Sequence, residues 1–483
     1  MRATLALLLI AAGCARTQPA PPREEPTPQT AGESVAYAVT LESSGKLRVE
    51  LRARSAAFAS IIGDDGADAF VSEFTVARAD DEEAARSVAV SFPVAAPECA
   101  TGCVVRYVFD LRGAGRAIGD PEWAAVLGDA LLGPPTTWLL RPAEDSPGEF
   151  TVELHADGAP SASFALALEE LPIEPGDAPR FRGRLEDLPR APYAAMGSLR
   201  TSRLAVDGGV VDVVHVGAVP DVGDARIDAW VREAAENVAH FTGRFAIGRA
   251  LVIVVGERGD NIGKGTTLGN GGASIIVHVG TGVSEAELHD DWIMTHEMVH
   301  VSMPGLASRH AWLEEGMATF AEPVARADLG RLTPENVWSE WFHMMGKGQP
   351  QEGDGGLDGT SAWGRLYWGG AAFWLLADVG IVEATSGRRS LRDCMRHVVS
   401  LGGNVSVRWT AQRFLEACDE GAGTHVVVPL YEEMSQKPVT VDLDALFARL
   451  GVKGAFRGVS FDDAAPDAST RRHIVAGTRP QTL

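Results

Sequence analysis

His296-Glu297-Met298-Val299-His300 places two histidines four residues apart with a glutamate beside the first. On a helix, residues four apart lie on one face, so both imidazoles can offer a nitrogen to a single cation. Glu297 then sits near that cation but angled off it, where a carboxylate can take a proton from a metal-bound water without becoming a ligand. Two histidines leave a catalytic zinc site one protein ligand short, with the fourth position kept for water. Glu315, within Trp312-Leu313-Glu314-Glu315-Gly316-Met317-Ala318, can supply the missing donor. Thr319 and Glu322 follow it at four and seven residues and share its face, which makes them candidates for orienting the ligands by hydrogen bonds. The chemistry implied is hydrolysis with one Zn2+ per chain. The plain alternative is a surface helix carrying two unconnected histidines.

Elements on either side must bring these groups together. Ser284 followed by Glu287 fits a capping box, so a helix is expected from Ser284 through the histidines, with Leu288, Trp292 and Val299 on its buried side. Pro304-Gly305 should end it, and a second helix should begin near Ser308. Upstream, Arg203 to Val206 and Val210 to Val216 flank Asp207-Gly208 as a hairpin. Asp224 to Phe241 has helical periodicity, and Leu251 to Val255 reads as a buried strand. The glycine run from Gly263 to Gly272 lacks the GK[ST] of a phosphate loop and reads as a flexible rim. Ala273 to Val279 is expected as the edge strand beside the histidine helix. Gly271, Gly272, Ala273 and Ser274 would then hold an extended substrate by β-augmentation. Downstream, Trp363 to Ala371 runs into an apolar helix through Phe373, Leu375 and Leu376, and Leu391 to Leu450 is mainly helical.

The chain has 483 residues, 45% of them hydrophobic and 22% charged, which suits a globular protein of two or three domains. A net charge of −22 argues against a broad nucleic-acid surface. Arg2 precedes a short apolar run ending at Ala11-Ala12-Gly13-Cys14, which reads as a bacterial lipoprotein signal with Cys14 as the lipidated residue. Ordinary signal cleavage nearby stays open. Either way the chain is expected in the cell envelope, and lipidation would tether it to a membrane. Residues 15–34 are proline-rich and polar, an extended tether. Of the five cysteines, removing Cys14 leaves four, and proximity favours Cys99–Cys103 and Cys394–Cys418 among three pairings. From Val35 the pattern alternates: Val35, Tyr37, Val39 and Leu41, a turn at Ser44-Gly45, then Leu47, Val49 and Leu51. Further strands are expected at Val104 to Leu111, Thr136 to Leu140, Phe150 to Leu154 and Phe164 to Leu168, an all-β, sandwich-like region over 35–190.

The stretch from His296 to Glu322 resembles the gluzincins, zinc peptidases with HExxH followed by a glutamate ligand. It is similar in particular to aminopeptidase N and the glycyl aminopeptidases. Their second helix reads WLNEGFASYVE or similar, and Trp312 to Glu322 reads WLEEGMATFAE. The resemblance puts the third ligand on Glu315 rather than Glu314. It implies a peptide or protein substrate and an α+β architecture. A β domain would precede a thermolysin-like zincin catalytic domain (a small mixed sheet plus helices) with a helical C-terminal part. The expected division is signal 1–14, tether 15–34, β domain 35–190, catalytic core 191–360, helical part 361–450 and tail 451–483. The family's GxMEN strand, whose glutamate grips a free amine, is matched here by Gly269 to Ser274, with no acid. The resemblance therefore carries the hydrolytic chemistry and not that grip. Tyr367 matches the tyrosine whose hydroxyl donates to the oxyanion, its alternative being an ordinary core aromatic. A second reading of the whole is a catalytically silent lipoprotein that keeps the scaffold for binding or assembly.

Overall fold

The computed structural model describes residues 35–53, 58–143, 148–158, 162–455 and 458–476. The signal-like run, Cys14 and the tether lie outside the described residues.

The alternating apolar residues from Val35 onward form strand Val35–Glu42, paired antiparallel with Leu47–Ala53 as the expected hairpin. These two sit mid-sheet in eight strands, with Glu149–Asp157 joined parallel to the first and Cys103–Phe109 antiparallel to the second. Their inward residues are almost wholly buried against two smaller sheets of three and four strands, giving a sandwich-like core. Two expected strands change. Leu111 does not extend its strand; Asp110 caps Gly113 N–H at 2.8 Å and starts helix Leu111–Ile118. Thr136 to Leu140 is not a strand, because Pro135 opens a short helix, Pro135–Trp138, in which Trp138 Nε1 donates to Gly133 O at 2.9 Å. Strand Ala194–Gly197 pairs back with Ser163–Leu166 and Ala130–Leu132, so the β region continues past residue 190. Cys99 and Cys103 are disulfide-bonded, as are Cys394 and Cys418.

The second half is built on a five-stranded mixed sheet in the order Arg200–Val206, Gly209–Gly217, Arg249–Glu257, Ser274–Gly280, Ile262–Leu268. The three middle strands are parallel and the outer two antiparallel. Helix Asp224–Thr242 and the helices after residue 284 cover one face with a single large apolar core. The other face packs on the β region through Val214, Leu251, Ile253 and Ile276. The expected edge strand is therefore wrong by one position. Ser274–Gly280 is internal, and the edge is Ile262–Leu268, within the segment whose glycines read as a loop. Glycine depresses strand signal because it brings no side chain to pack.

Five helices between Gly370 and Leu450 close the molecule. Beyond them the described residues of the tail form further elements: strands Val452–Gly454 and Val459–Phe461 pair, and helix Ala468–Ile474 follows, with buried Arg471 donating to the Leu450 and Gly451 carbonyls. Among the described residues no helix is long and apolar enough to cross a membrane.

Candidate active site

The capping box at Ser284 is present, yet the helix it starts, Glu285–Asp290, stops after six residues. Asp291 then makes a fresh start. Its carboxylate accepts from Ile293 N and Met294 N at 3.1 and 3.0 Å and from Trp230 Nε1 at 3.2 Å. The histidine helix is thus a separate element, Ile293–Val301, and Trp292 at its start is 49% exposed rather than buried. The chain turns at Pro304-Gly305 and returns as the glutamate helix, Ala311–Asp328.

The two helices bring three donor atoms to one point. His296 Nε2 lies 3.3 Å from His300 Nε2 and 3.3 Å from Glu315 Oε2, and His300 Nε2 lies 3.5 Å from the same oxygen. A tetrahedral ion with ligands at about 2.0–2.1 Å holds its donors about 3.3–3.4 Å apart. The triangle and its two-nitrogen, one-oxygen chemistry therefore fit zinc. Among the described residues it is the one group of three such side chains close enough to hold a metal. The members also stabilise one another's charges. Burial pulls His300 down, but the Glu315 carboxylate more than offsets this and raises it to about 9. Burial pushes Glu315 up, yet His300 and His296 hold it well below the usual carboxylate range.

Glu297 is buried on the same helix, its Oε2 2.6 Å from the hydroxyl of Thr267 on the edge strand. The strand can come this close because residue 265 is glycine: a Cβ there would stand 2.8 Å from Glu297 Cγ and 2.7 Å from Ile293 Cγ2. Thr266 and Lys264 alternate to the other side of the strand and meet Glu122 of the β region; Lys264 forms an ion pair with it, and Thr266 Oγ1 lies at 3.4 Å. Composition gave no sign of Thr267, Lys264 or Glu122. The signal was the alternation within Ile262 to Leu268, masked by two glycines.

Tyr367 arrives from a third direction, on a π-helical turn, Arg365–Gly369, that opens helix Gly370–Ala384. Gly316 and Gly370 let that helix touch the glutamate helix, since a Cβ on Gly370 would stand 2.2 Å from Trp312 O. The Tyr367 ring stacks on His296, centroids 5.7 Å apart and planes at 5°. Burial, then the neighbouring Glu315 carboxylate, push its hydroxyl above the ordinary tyrosine range, so it is a donor at neutral pH.

The expected orienting pair does not reach the triangle. Thr319 Oγ1 donates to the Glu315 backbone carbonyl at 2.8 Å. Glu322 is buried against Arg326, 2.8 Å away, and burial raises it to about 8. Arg326 also donates to His289 O at 3.0 Å, tying the glutamate helix to the segment before the histidine helix. Gly271 to Ser274 likewise lie away from the cleft. Gly272 packs on Ala167, and Ser274 accepts from Tyr193 N at 2.8 Å.

Thr267, Glu297, His300, Glu315 and Tyr367 line a cleft of ≈ 320 Å³ with Met303, Gly305, Glu314 and Val405. Its Val405 wall is a strap, residues 404–409, held by backbone bonds on both sides. Asn270 N and Gly271 N donate to Val405 O and Ser406 O, Val405 N donates to Val301 O, and Gly305 exchanges bonds with Val407 and Trp409.

A β region, a mixed sheet with a free edge over an HExxH helix, and a returning glutamate helix together make a gluzincin aminopeptidase-like fold. The sequence matches no protein-family model and no curated protein. Solved structures do share the fold. One is an aminopeptidase N family protein from Idiomarina loihiensis, with TM-score 0.61 and 14% identity over 86% of this chain and 78% of that one. Another is an M1 zinc metallopeptidase from Deinococcus radiodurans, with TM-score 0.51 and 14% identity over 85% of this chain and 94% of that one.

Proposed function

We propose that the chain is a zinc-dependent peptidase. The observation that carries this reading is the donor triangle of His296, His300 and Glu315 with Glu297 beside it on the open side of a cleft. A zinc ion held by those three side chains would supply an acidified water and polarise the substrate carbonyl. Thr267 holds Glu297 Oε2, which leaves Oε1 to accept the water's proton and later deliver it to the leaving amine. Tyr367 Oη donates to the oxyanion as it develops. The free edge of Ile262–Leu268 offers main-chain groups to an extended peptide.

The test is digestion of a peptide library by the purified chain, with and without a chelator, read by mass spectrometry. Glu297→Gln should keep one zinc per chain and lose about 100- to 10,000-fold in kcat. Equal cleavage by variant and wild type would remove Glu297 from its role. Zinc with no cleavage of any peptide would favour the silent binding scaffold. We further propose export and tethering through Cys14, a placement that the two disulfides suit. Cys14→Ala should release the chain from membranes.

A further inference from the structure

The acids of the cleft are not equally provided for. Glu297 has the Thr267 hydroxyl and Glu315 has two imidazoles. Glu314 has one backbone donor. Its Oε1 accepts from Leu306 N at 2.8 Å, which fixes the turn between the two helices. Among the described residues no basic side chain forms an ion pair with it. Arg408 acts on it only at longer range, with its guanidinium 3.5 Å from the Leu306 carbonyl oxygen. Glu314 is half-buried, lines the cleft, and stands outside the donor triangle because Leu306 draws it away. Met303 and Val405 line the same cleft and add aliphatic surface to it.

We infer that this flank of the cleft is a subsite for a cationic side chain of the substrate, lysine or arginine, with the Glu314 carboxylate as its counter-ion. This rests on the peptidase reading. A charge held away from water gains far more from a partner than one on an open surface. The aliphatic stem of lysine or arginine can lie on Met303 and Val405 while its head reaches the carboxylate.

The experiment compares zinc-loaded wild type with Glu314→Gln, which keeps the acceptor for Leu306 N and removes the charge. A peptide set carries lysine or norleucine at each position around the cut. Wild type should show one position where lysine exceeds norleucine in kcat/KM by about 10- to 100-fold, and the ratio should fall towards one in the variant. No such position in wild type, or an unchanged ratio in the variant, overturns the inference. A second measurement needs no turnover: equilibrium binding of lysine hydroxamate against norleucine hydroxamate to the zinc-loaded chain. Tighter lysine binding that Glu314→Gln abolishes, without peptide cleavage, upholds the subsite and removes the peptidase reading. Equal binding of the two removes the subsite alone.

Discussion

On the outer face of the N-terminal sheet, Glu50 and Glu82 each bridge Arg52 and Arg106 in a closed ring of four charges. All four are partly exposed, and each acid has two guanidinium partners. In the cleft, Glu297, Glu314 and Glu315 have a hydroxyl, a backbone N–H and two imidazoles respectively for company. The tyrosines divide the same way. Tyr37 and Tyr107, buried in the β region, donate to the Leu140 and Trp138 carbonyls at 2.7 and 2.9 Å. Tyr367 instead stands beside a carboxylate at the rim of a cleft. The charge ring and these two tyrosines are satisfied within the β region. Around the cleft, Glu314 has a single backbone donor.

The widest contrast should come from removing one arginine in each half. Arg326 and Glu322 are 6% and 5% exposed, so Arg326→Met leaves a buried acid and the His289 carbonyl without their donor and should cost about 3–5 kcal/mol in urea unfolding. Arg106→Met on the outer sheet should cost about 0–1 kcal/mol. Equal losses would mean that burial does not separate the halves. The tyrosines come next. Tyr367→Phe should lower kcat about 100- to 1000-fold with little change in unfolding. Tyr107→Phe should leave kcat alone and cost about 1–3 kcal/mol through the stranded Trp138 carbonyl. A Tyr367→Phe enzyme with full kcat would make that residue a core aromatic.

The smallest effect is a pH slope. Burial raises Asp378 to about 6 from an ordinary 3.8, although it accepts from Leu391 N at 2.7 Å. Between those values the folded chain holds a proton that the unfolded chain releases. Its contribution is full below pH 4 and fades as pH rises through 6, on the order of 2–3 kcal/mol in all. Asp378→Asn should flatten urea midpoints across that window.

Local patterns made much of this readable beforehand. The histidine spacing, the Glu315 register, the Ser284 cap, the first hairpin and both disulfide pairings needed only neighbours in the chain. The misses needed distant partners. Asp291 breaks a helix because Trp230 and Arg326 stand over it. Glu322 turns to Arg326, one helical turn away, and not to the ligands. Ile262 to Leu268 is a strand through its pairing with Ser274–Gly280, and its glycines, one of which admits Glu297, hide the alternation.

The strap over the cleft carries main-chain bonds to Asn270 and Gly271 on one side and to Val301 and Gly305 on the other, with Asn404 and Arg408 adding side-chain bonds to the Ala246 and Leu306 carbonyls. Evolution is therefore free to repaint its outward side chains, and with them the rim that a substrate meets. Its residue count is another matter: one amino acid more or fewer would throw both rows of contacts out of step together.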